Sequence, residues 1–261
     1  MKLNYVLIIG FLMIISCSDK NNSTSNPGEI DLESAIENAE SRRKADPDSS
    51  GENKCLLEFQ SKYDQLIPEN DILAVTGFSK ELMEVKYQKI MKNPEYHEVV
   101  YNFDNKRNAY IPALKMNADV PDVISVRSIK PMSLTQFENS YKAVTEEEMQ
   151  AARDAVNDVA EGNSGDADAE AAMQKAKDQN VSDEQIKETS NVLLDTFKEV
   201  SEGYRVVEGL GDAARWNVKT NELSVLQNGV QFQIMSDVSN DLEKNKSVAI
   251  DLAKKILDKC K

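Results

Sequence analysis

The chain has 261 residues, of which 45 are Asp or Glu and 31 are Lys or Arg, so that its formal net charge is -14. This charge repels phosphate backbones, and nucleic acid is therefore not expected among the partners. Hydrophobic residues make up 40% of the sequence, which is enough for a core, and the mean hydropathy of -0.52 indicates a soluble body. Any membrane attachment must then come from a local segment.

The first 16 residues have the pattern of a bacterial signal peptide. Lys2 supplies the positive charge, and the apolar run over residues 5–15 is too short to span a bilayer as a helix. The run ends in Ile-Ile-Ser followed by Cys17, which resembles the lipobox of bacterial lipoproteins. The open alternative is an ordinary secretory signal that is cleaved elsewhere.

The resemblance to lipoproteins implies a location and a covalent modification. It implies export, cleavage before Cys17 and attachment of lipid, palmitate included, to that residue, so that the membrane is a partner. Ser18 after the cysteine, in place of Asp, implies the outer membrane, on either its periplasmic or its surface face. Residues 17–29 are small and polar, which is typical of a flexible tether.

Export also affects the interpretation of Cys55 and Cys260. In an oxidising compartment such as the periplasm, an even pair of cysteines near the two ends of a domain favours a disulfide. The alternative is two buried free thiols.

The rest of the chain is predicted to form one α+β domain over residues 54–261, preceded by a short helix and linker over residues 30–53. The first elements of the domain are predicted as helices at 55–63 and 68–75, strands at 96–103 and 123–129, and a short helix at 133–141. Residues 144–203 are Ala-rich, acidic and helical, and we interpret them as an insertion. Its last helix is predicted to have one apolar side, formed by Ile186, Leu193, Phe197 and Val200.

The dipeptide Asn228-Gly229 is a strong signal for a β-hairpin. It predicts that Val225 pairs with Phe232 and that Leu223 pairs with Ile234 on one face. The sheet is then half-buried, and the residues on its other face are Ser224, Leu226, Gln231 and Gln233. Further strands are predicted at 204–208 and 214–218, before a final helix whose apolar stripe ends at Cys260.

These elements predict the α+β fold class: an antiparallel sheet with helices packed on one face and an acidic helical insertion. Residues 207–216, the hairpin and the closing helix resemble a pattern in small uncharacterised α+β envelope lipoproteins. That resemblance implies an architecture and no known chemistry.

Two motifs have the spacing of ligand-binding loops. Residues 209–214 match a dinucleotide-binding fingerprint, but Asp212 would place a negative charge against the phosphates, and strands are predicted to follow. We interpret these glycines as a tight turn. Residues 46–51 resemble the start of an EF-hand loop, but the twelfth position is Leu57 instead of Glu, so we interpret them as a solvated linker.

His97 is the single histidine, and one imidazole without free cysteines does not form a structural zinc site. We expect it on the surface or on an edge strand. The sequence has no nucleophile elbow, Walker loop or zinc-peptidase motif. We therefore predict no catalytic, cofactor-binding or metal-binding residue, no cofactor and no enzymatic activity.

Three functions remain open. The first is a non-catalytic module that binds a peptide, a glycan or a small apolar ligand on the sheet or under the insertion. The second is an interaction or assembly lipoprotein that contacts another envelope protein, which an exposed apolar stripe over residues 186–200 would favour. The third is a hydrolase of envelope polymers, which two facing buried carboxylates would favour.

Overall fold

The computed structural model describes residues 52–89, 92–111, 114–165, 167–178 and 181–260. The predicted signal peptide, Cys17 with its tether, the first helix and the loop at 46–51 therefore lie outside the described residues. Two compact units are present: one contains the described residues of 143–202, and the other those of 52–142 and 203–260. Within these ranges no helix combines the length and the apolar character needed to cross a bilayer.

The larger unit is built on a seven-stranded sheet. Its strands are β1 (Met83–Lys89), β2 (His97–Ile111), β3 (Met116–Pro131), β4 (Tyr204–Val206), β5 (Ala213–Asn217), β6 (Glu222–Gln227) and β7 (Val230–Asp237). They are ordered β1-β2-β3-β7-β6-β5-β4, and every neighbouring pair is antiparallel. The described chain therefore has the predicted α+β fold.

The helices belong to both units. They are α1 (Lys54–Glu58), α2 (Tyr63–Leu66), α3 (Glu69–Thr76), α4 (Leu134–Ser140), α5 (Glu146–Ala160), α6 (Ala167–Asp178), α7 (Asp183–Ser201) and α8 (Leu242–Lys259). Helices α5, α6 and α7 form the smaller unit, whose limits lie within one residue of the expected insertion. The predicted capping boxes are present: the side chains of Ser133, Thr145 and Ser182 accept hydrogen bonds at the starts of α4, α5 and α7.

The main core lies on the side of the sheet that carries Phe232 and Ile234, which we call the first face. Helices α1, α2, α3 and α8 cover this face, and fully buried side chains such as Trp216, Leu252 and Ile256 fill the space between them. Each of these side chains contributes about 1.5–3 kcal/mol by its removal from water.

A disulfide joins Cys55 in α1 to Cys260 at the end of α8, with 5.4 Å between the two Cα atoms. The Asn53 side chain donates a hydrogen bond to the Cys260 carbonyl oxygen at 3.3 Å. The first and last described elements of the larger unit are thus joined both covalently and by a buried hydrogen bond.

The register of the β6–β7 hairpin is as predicted. Val225 lies opposite Phe232, and Leu223 lies opposite Ile234. Asn228 and Gly229 both have positive φ angles, +48° and +72°, which a type I′ turn requires. This sequence prediction is confirmed because the turn and the alternation of side chains both specify the same register.

The glycine-rich segment between β4 and β5 is a turn and not a nucleotide-binding loop. Gly209 and Gly211 have positive φ angles, and a strand follows them instead of a helix. The Asp212 carboxylate accepts a hydrogen bond from the backbone N–H of Asn228. The segment therefore ties the β4–β5 connection to the β6–β7 turn.

Gly211→Ala is expected to lower the free energy of unfolding by about 3 kcal/mol or more. A Cβ atom there would lie 2.4 Å from the Leu226 carbonyl oxygen, and the positive φ adds strain. Gly209→Ala is the matched control, because it has the same sign of φ but no atom within 4 Å of the added Cβ; it should cost only about 1–2 kcal/mol. Urea unfolding followed by circular dichroism measures both, and equal losses would contradict the steric argument.

Strands β2 and β3 are much longer than the predicted strands at 96–103 and 123–129. After a register shift between Phe103 and Arg107, they continue as a two-stranded ribbon in which Arg107 pairs with Val120 and Ile111 pairs with Met116. Strand β1 pairs with β2 only up to Phe103. We call residues 107–111 and 114–120 the ribbon.

The smaller unit corrects one sequence prediction. Helix α7 buries Ile186, Ser190, Leu194 and Ser201, whereas Phe197 is half exposed. The reason is that small serines allow close approach: the Ser201 hydroxyl accepts a hydrogen bond from the Val144 N–H at 3.0 Å. The predicted apolar side with Leu193, Phe197 and Val200 is therefore rotated from the side that packs.

Candidate functional site

The side of the sheet opposite the main core, which we call the second face, is buried at its centre. The prediction of a half-buried sheet is wrong there, because every residue from Glu222 to Leu226 is buried on both sides of β6. Helix α4 packs on this second face through Phe137 and Tyr141, which contact Leu226. The polar residues that the hairpin places on this face therefore need partners within the protein.

Their partners form a hydrogen-bonded group. The Tyr141 hydroxyl donates to Gln231 Oε1 at 2.8 Å. Gln233 Nε2 lies within hydrogen-bond distance of Tyr141 Oη (3.2 Å), Glu222 Oε1 (2.8 Å) and Ser224 Oγ (3.1 Å). Together with Arg127, we call these residues the polar network. Such fully bonded groups hold donors and acceptors in one fixed arrangement.

Arg127 is the member of the polar network that reaches solvent. It lies directly opposite Gln233 on β3, and its side chain is 41% exposed, whereas that of Glu222 is 9% exposed. One guanidinium nitrogen, Nη2, donates to Glu222. The other, Nη1, lies 3.9 Å from Glu98 Oε1, which is beyond hydrogen-bond distance.

Arg127 remains protonated, and therefore positively charged, in this position. Burial alone would lower the pKa of Arg127, but the Glu222 carboxylate and its hydrogen bond, with a smaller contribution from Glu98, raise it above the ordinary value. The second face therefore presents a permanent cation with a carboxylate on either side.

Aromatic rings form the wall beside these polar groups. The Tyr141 ring lies 4.7 Å from that of Phe137 and makes an edge contact with that of Tyr204 at 5.5 Å. Burial, and next the Glu222 charge, raise the pKa of Tyr204. Its hydroxyl therefore remains a neutral donor and acceptor at physiological pH.

Tyr141→Phe should lower the free energy of unfolding by about 1–3 kcal/mol at pH 7, because it removes the donor to the buried Gln231 Oε1 and one of the three groups near Gln233 Nε2. Burial, and next the Glu222 charge, raise the pKa of Tyr141 in the folded state. Unfolded tyrosine ionises near pH 10, so the contribution of the hydroxyl is complete below about pH 10 and decreases as the pH rises further.

Urea unfolding from pH 8 to 11.5 tests this dependence. The wild-type chain should lose stability above about pH 10 more steeply than the Tyr141→Phe variant. Parallel curves would contradict the assignment, since Tyr63 and Tyr101, whose pKa values burial also raises, contribute equally to both proteins.

The structure also places the residues singled out from the sequence. Cys55 and Cys260 are bonded to each other, and Cys17 lies outside the described residues. His97 is buried and begins β2, which β1 and β3 flank, with its ring 5.9 Å from that of Tyr87. The expectation of a surface or edge-strand histidine is therefore wrong, because β1 was not among the predicted strands.

The arrangement is suited to binding a polar molecule. Among the described residues, no group of three or more His, Cys, Asp or Glu side chains could hold a metal ion. The second face brings two carboxylates, Glu98 and Glu222, to one guanidinium, and it places amide, hydroxyl and aromatic groups behind them. Of these groups Arg127, Glu98 and Tyr204 are partly exposed, and they can donate to, accept from and stack on a ligand.

Sequence reasoning missed Arg127, Glu222 and Tyr141. It did place Ser224, Gln231 and Gln233 on one face, and a run of polar residues on the inner side of a hairpin is the available signal. Comparisons with models of known protein families, with curated proteins and with solved structures found no match to this chain.

Proposed function

We propose that this protein is a membrane-anchored lipoprotein of the bacterial outer membrane, and that it acts as a non-catalytic binding module. The observation that carries the proposal is the polar network of the second face, which is ordered inside the protein and reaches solvent at Arg127. Its ligand is a polar molecule of the envelope.

Two features of the chain support export and lipid attachment. The residues before Cys17 have the lipobox pattern, preceded by an apolar run and Lys2. The disulfide between Cys55 and Cys260 is of the kind that persists in an oxidising compartment and is rare in the cytosol.

The geometry around Arg127 supports a ligand that carries both charge signs. A ligand carboxylate can accept from the guanidinium, whose Nη1 is not hydrogen bonded to Glu98. A ligand ammonium group can in turn approach the Glu98 carboxylate beside it. Peptides and glycopeptides combine these groups, and the half-buried Tyr204 ring, which packs against Tyr141, offers stacking to a sugar ring.

Native mass spectrometry of the full chain, before and after mixing with muropeptides from digested bacterial cell wall, tests the binding function. We expect a bound mass on the wild-type protein and its loss in Arg127→Met. Arg153→Met is the matched control, because Arg153 also forms an ion pair with a carboxylate, Asp195, but lies in the smaller unit.

Two results would contradict the binding proposal. One is the absence of any bound mass in the wild-type protein, and the other is equal retention by Arg127→Met. Conversion of the muropeptides to smaller products would instead favour the hydrolase hypothesis, with Glu98 and Glu222 as the carboxylates to replace.

Lipid attachment is tested separately by the intact mass of the exported protein. We expect loss of the first 16 residues and addition of a diacylglyceryl group at Cys17, and we expect neither change in Cys17→Ala. An unlipidated protein that is cleaved at another position would contradict the lipoprotein assignment.

A second function, assembly with another envelope protein, is favoured by helix α7. Val192 and Phe197 are 60% and 52% exposed, although both are large apolar side chains. Cross-linking in intact cells tests this function: a cross-linked product that disappears in Phe197→Ser but persists in the Arg127→Met variant would support assembly through the smaller unit.

A further inference from the structure

Strand β1 forms one edge of the seven-stranded sheet. It has seven residues, and within the described part of the chain it pairs with β2 alone. Alternate N–H and carbonyl groups of an edge strand point away from the sheet, where a strand of another molecule can bond to them. Strand β4, at the opposite edge, has only three residues. The β1 edge therefore offers the longer row of backbone groups for pairing between molecules.

The side chains of β1 on the first face are apolar apart from the terminal lysine. Met83 and Tyr87 are partly buried and pack against the main core. Val85 lies between them, opposite the buried Tyr101, and is nevertheless 37% exposed. A strand added at this edge would cover Val85 and continue the apolar side of the sheet across the junction.

The side chains of β1 on the second face carry opposite charges in a fixed order. Glu84 comes first and Lys86 follows two positions later, so that both project from the same face. Their side chains are 64% and 53% exposed and bond to each other at 2.9 Å. The strand thus presents a negative charge in its first half and a positive charge in its second half, which is the order that an antiparallel copy of itself would complement.

Symmetry leaves few ways of pairing two copies of β1. A two-fold axis perpendicular to the sheet pairs them antiparallel and keeps each face aligned with itself, so the pairing is centred on a single residue. A centre at Glu84 or at Lys86 would place like charges directly opposite each other, which is destabilising. A centre at Tyr87 would place the apolar Val85 opposite Lys89. These three registers are therefore disfavoured.

We propose that two copies of this chain pair antiparallel through β1, centred on Val85, and form one continuous sheet. In this register Glu84 of each copy lies opposite Lys86 of the other, and Met83 lies opposite Tyr87. Opposite charges and apolar side chains that face each other across a ladder stabilise the pairing. Lysine in an edge strand ordinarily discourages pairing with other chains, but here each lysine meets a carboxylate.

The charges around the paired residues agree with this register. Lys89 of one copy would lie beside Glu81 of the other, and Lys80, the next charge along, is already paired with Glu69 at 2.9 Å. The opposite edge of the sheet lacks this complementarity. A pairing of β4 with itself would be centred on Arg205 and would place like charges opposite each other. The inference does not depend on the proposed ligand or on the lipid anchor.

Oxidative cross-linking of the purified full chain tests the register. Residues directly opposite in antiparallel strands have Cα atoms about 4.5–5.5 Å apart, which a disulfide can bridge. Val85→Cys, oxidised with copper phenanthroline, should therefore give a covalent dimer on a non-reducing gel. Val206→Cys is the matched control, because Val206 is more exposed, at 61%, but lies on β4. A cross-link through Cys17 would occur in the wild-type protein as well and is subtracted.

Charge exchange tests the complementarity of the strand. In the Val85→Cys background, Glu84→Lys places two positive charges opposite each other and should reduce the dimer about tenfold. Adding Lys86→Glu brings opposite charges together again and should restore the dimer. Both side chains are more than half exposed, so the sheet should fold in each variant, which circular dichroism checks.

Three results would overturn the proposal. The first is a Val85→Cys protein that stays monomeric, as an edge occupied by a different protein would give. The second is an equal yield of dimer from Val206→Cys, which would indicate random collision. The third is a dimer that the charge exchange does not restore, since the register centred on Val85 requires that recovery.

Discussion

Replacing both Cys55 and Cys260 with Ala is expected to lower the free energy of unfolding by about 4–5 kcal/mol and Tm by roughly 10–15 °C. The disulfide joins residues 205 positions apart, and the loss of chain entropy in the unfolded state increases with the length of the closed loop. The hydrogen bond from Asn53 to Cys260 depends on the same junction and should weaken with it.

Thermal unfolding followed by circular dichroism, with and without reductant, measures this effect. The reduced wild-type protein and the double variant should unfold at similar temperatures, because both lack the constraint. A double variant that unfolds within a few degrees of the oxidised wild-type protein would show that the unfolded state is compact without the bond.

Arg107→Met is expected to lower the free energy of unfolding by about 3–5 kcal/mol, because it leaves the Asp122 carboxylate buried without its counter-ion. Arg107 Nε donates to Asp122 at 2.6 Å, and Nη2 donates to Asp237 at 2.8 Å. The Asp122 side chain is only 5% exposed, so water does not replace the lost partner. Asn105 remains as its one described side-chain donor.

A double-mutant cycle separates the unpaired charge from the other contacts of Arg107. Asp122→Asn in the Arg107→Met background should recover a large part of the loss, since the neutral amide costs less to bury than the carboxylate. Urea unfolding of the four proteins provides the measurement. No recovery in the double variant would mean that the packing of Arg107, and not the charge of Asp122, determines the loss.

The hairpin and the capped helices could be predicted because each depends on residues close together in the sequence. Asn228-Gly229 determines the turn, and the alternation from Leu223 to Ile234 determines the register. The ribbon could not be predicted in this way. Its strands bury neither face completely, so residues 107–120 lack the alternating apolar pattern by which strands are recognised.

Only part of the polar network could be predicted from the sequence. Ser224, Gln231 and Gln233 are brought together by one local hairpin. Arg127 and Tyr141 join them because β3 pairs with β7 and because α4 covers the second face, and both contacts link residues about a hundred positions apart. The apolar pattern within one segment does not predict contacts between residues so far apart in the sequence. The site could therefore be identified only from the assembled sheet.

The edge contact between the Tyr141 and Tyr204 rings has a consequence for how this architecture can change. These residues stand on either side of the smaller unit in the sequence, and their neighbouring positions mean that the chain leaves and rejoins the larger unit at nearly the same place. A segment with adjacent ends can be shortened, lengthened or exchanged without moving the strands that flank it. Residues 143–202 can therefore be replaced as one segment. A short linker between Lys142 and Gly203 should leave the sheet folded.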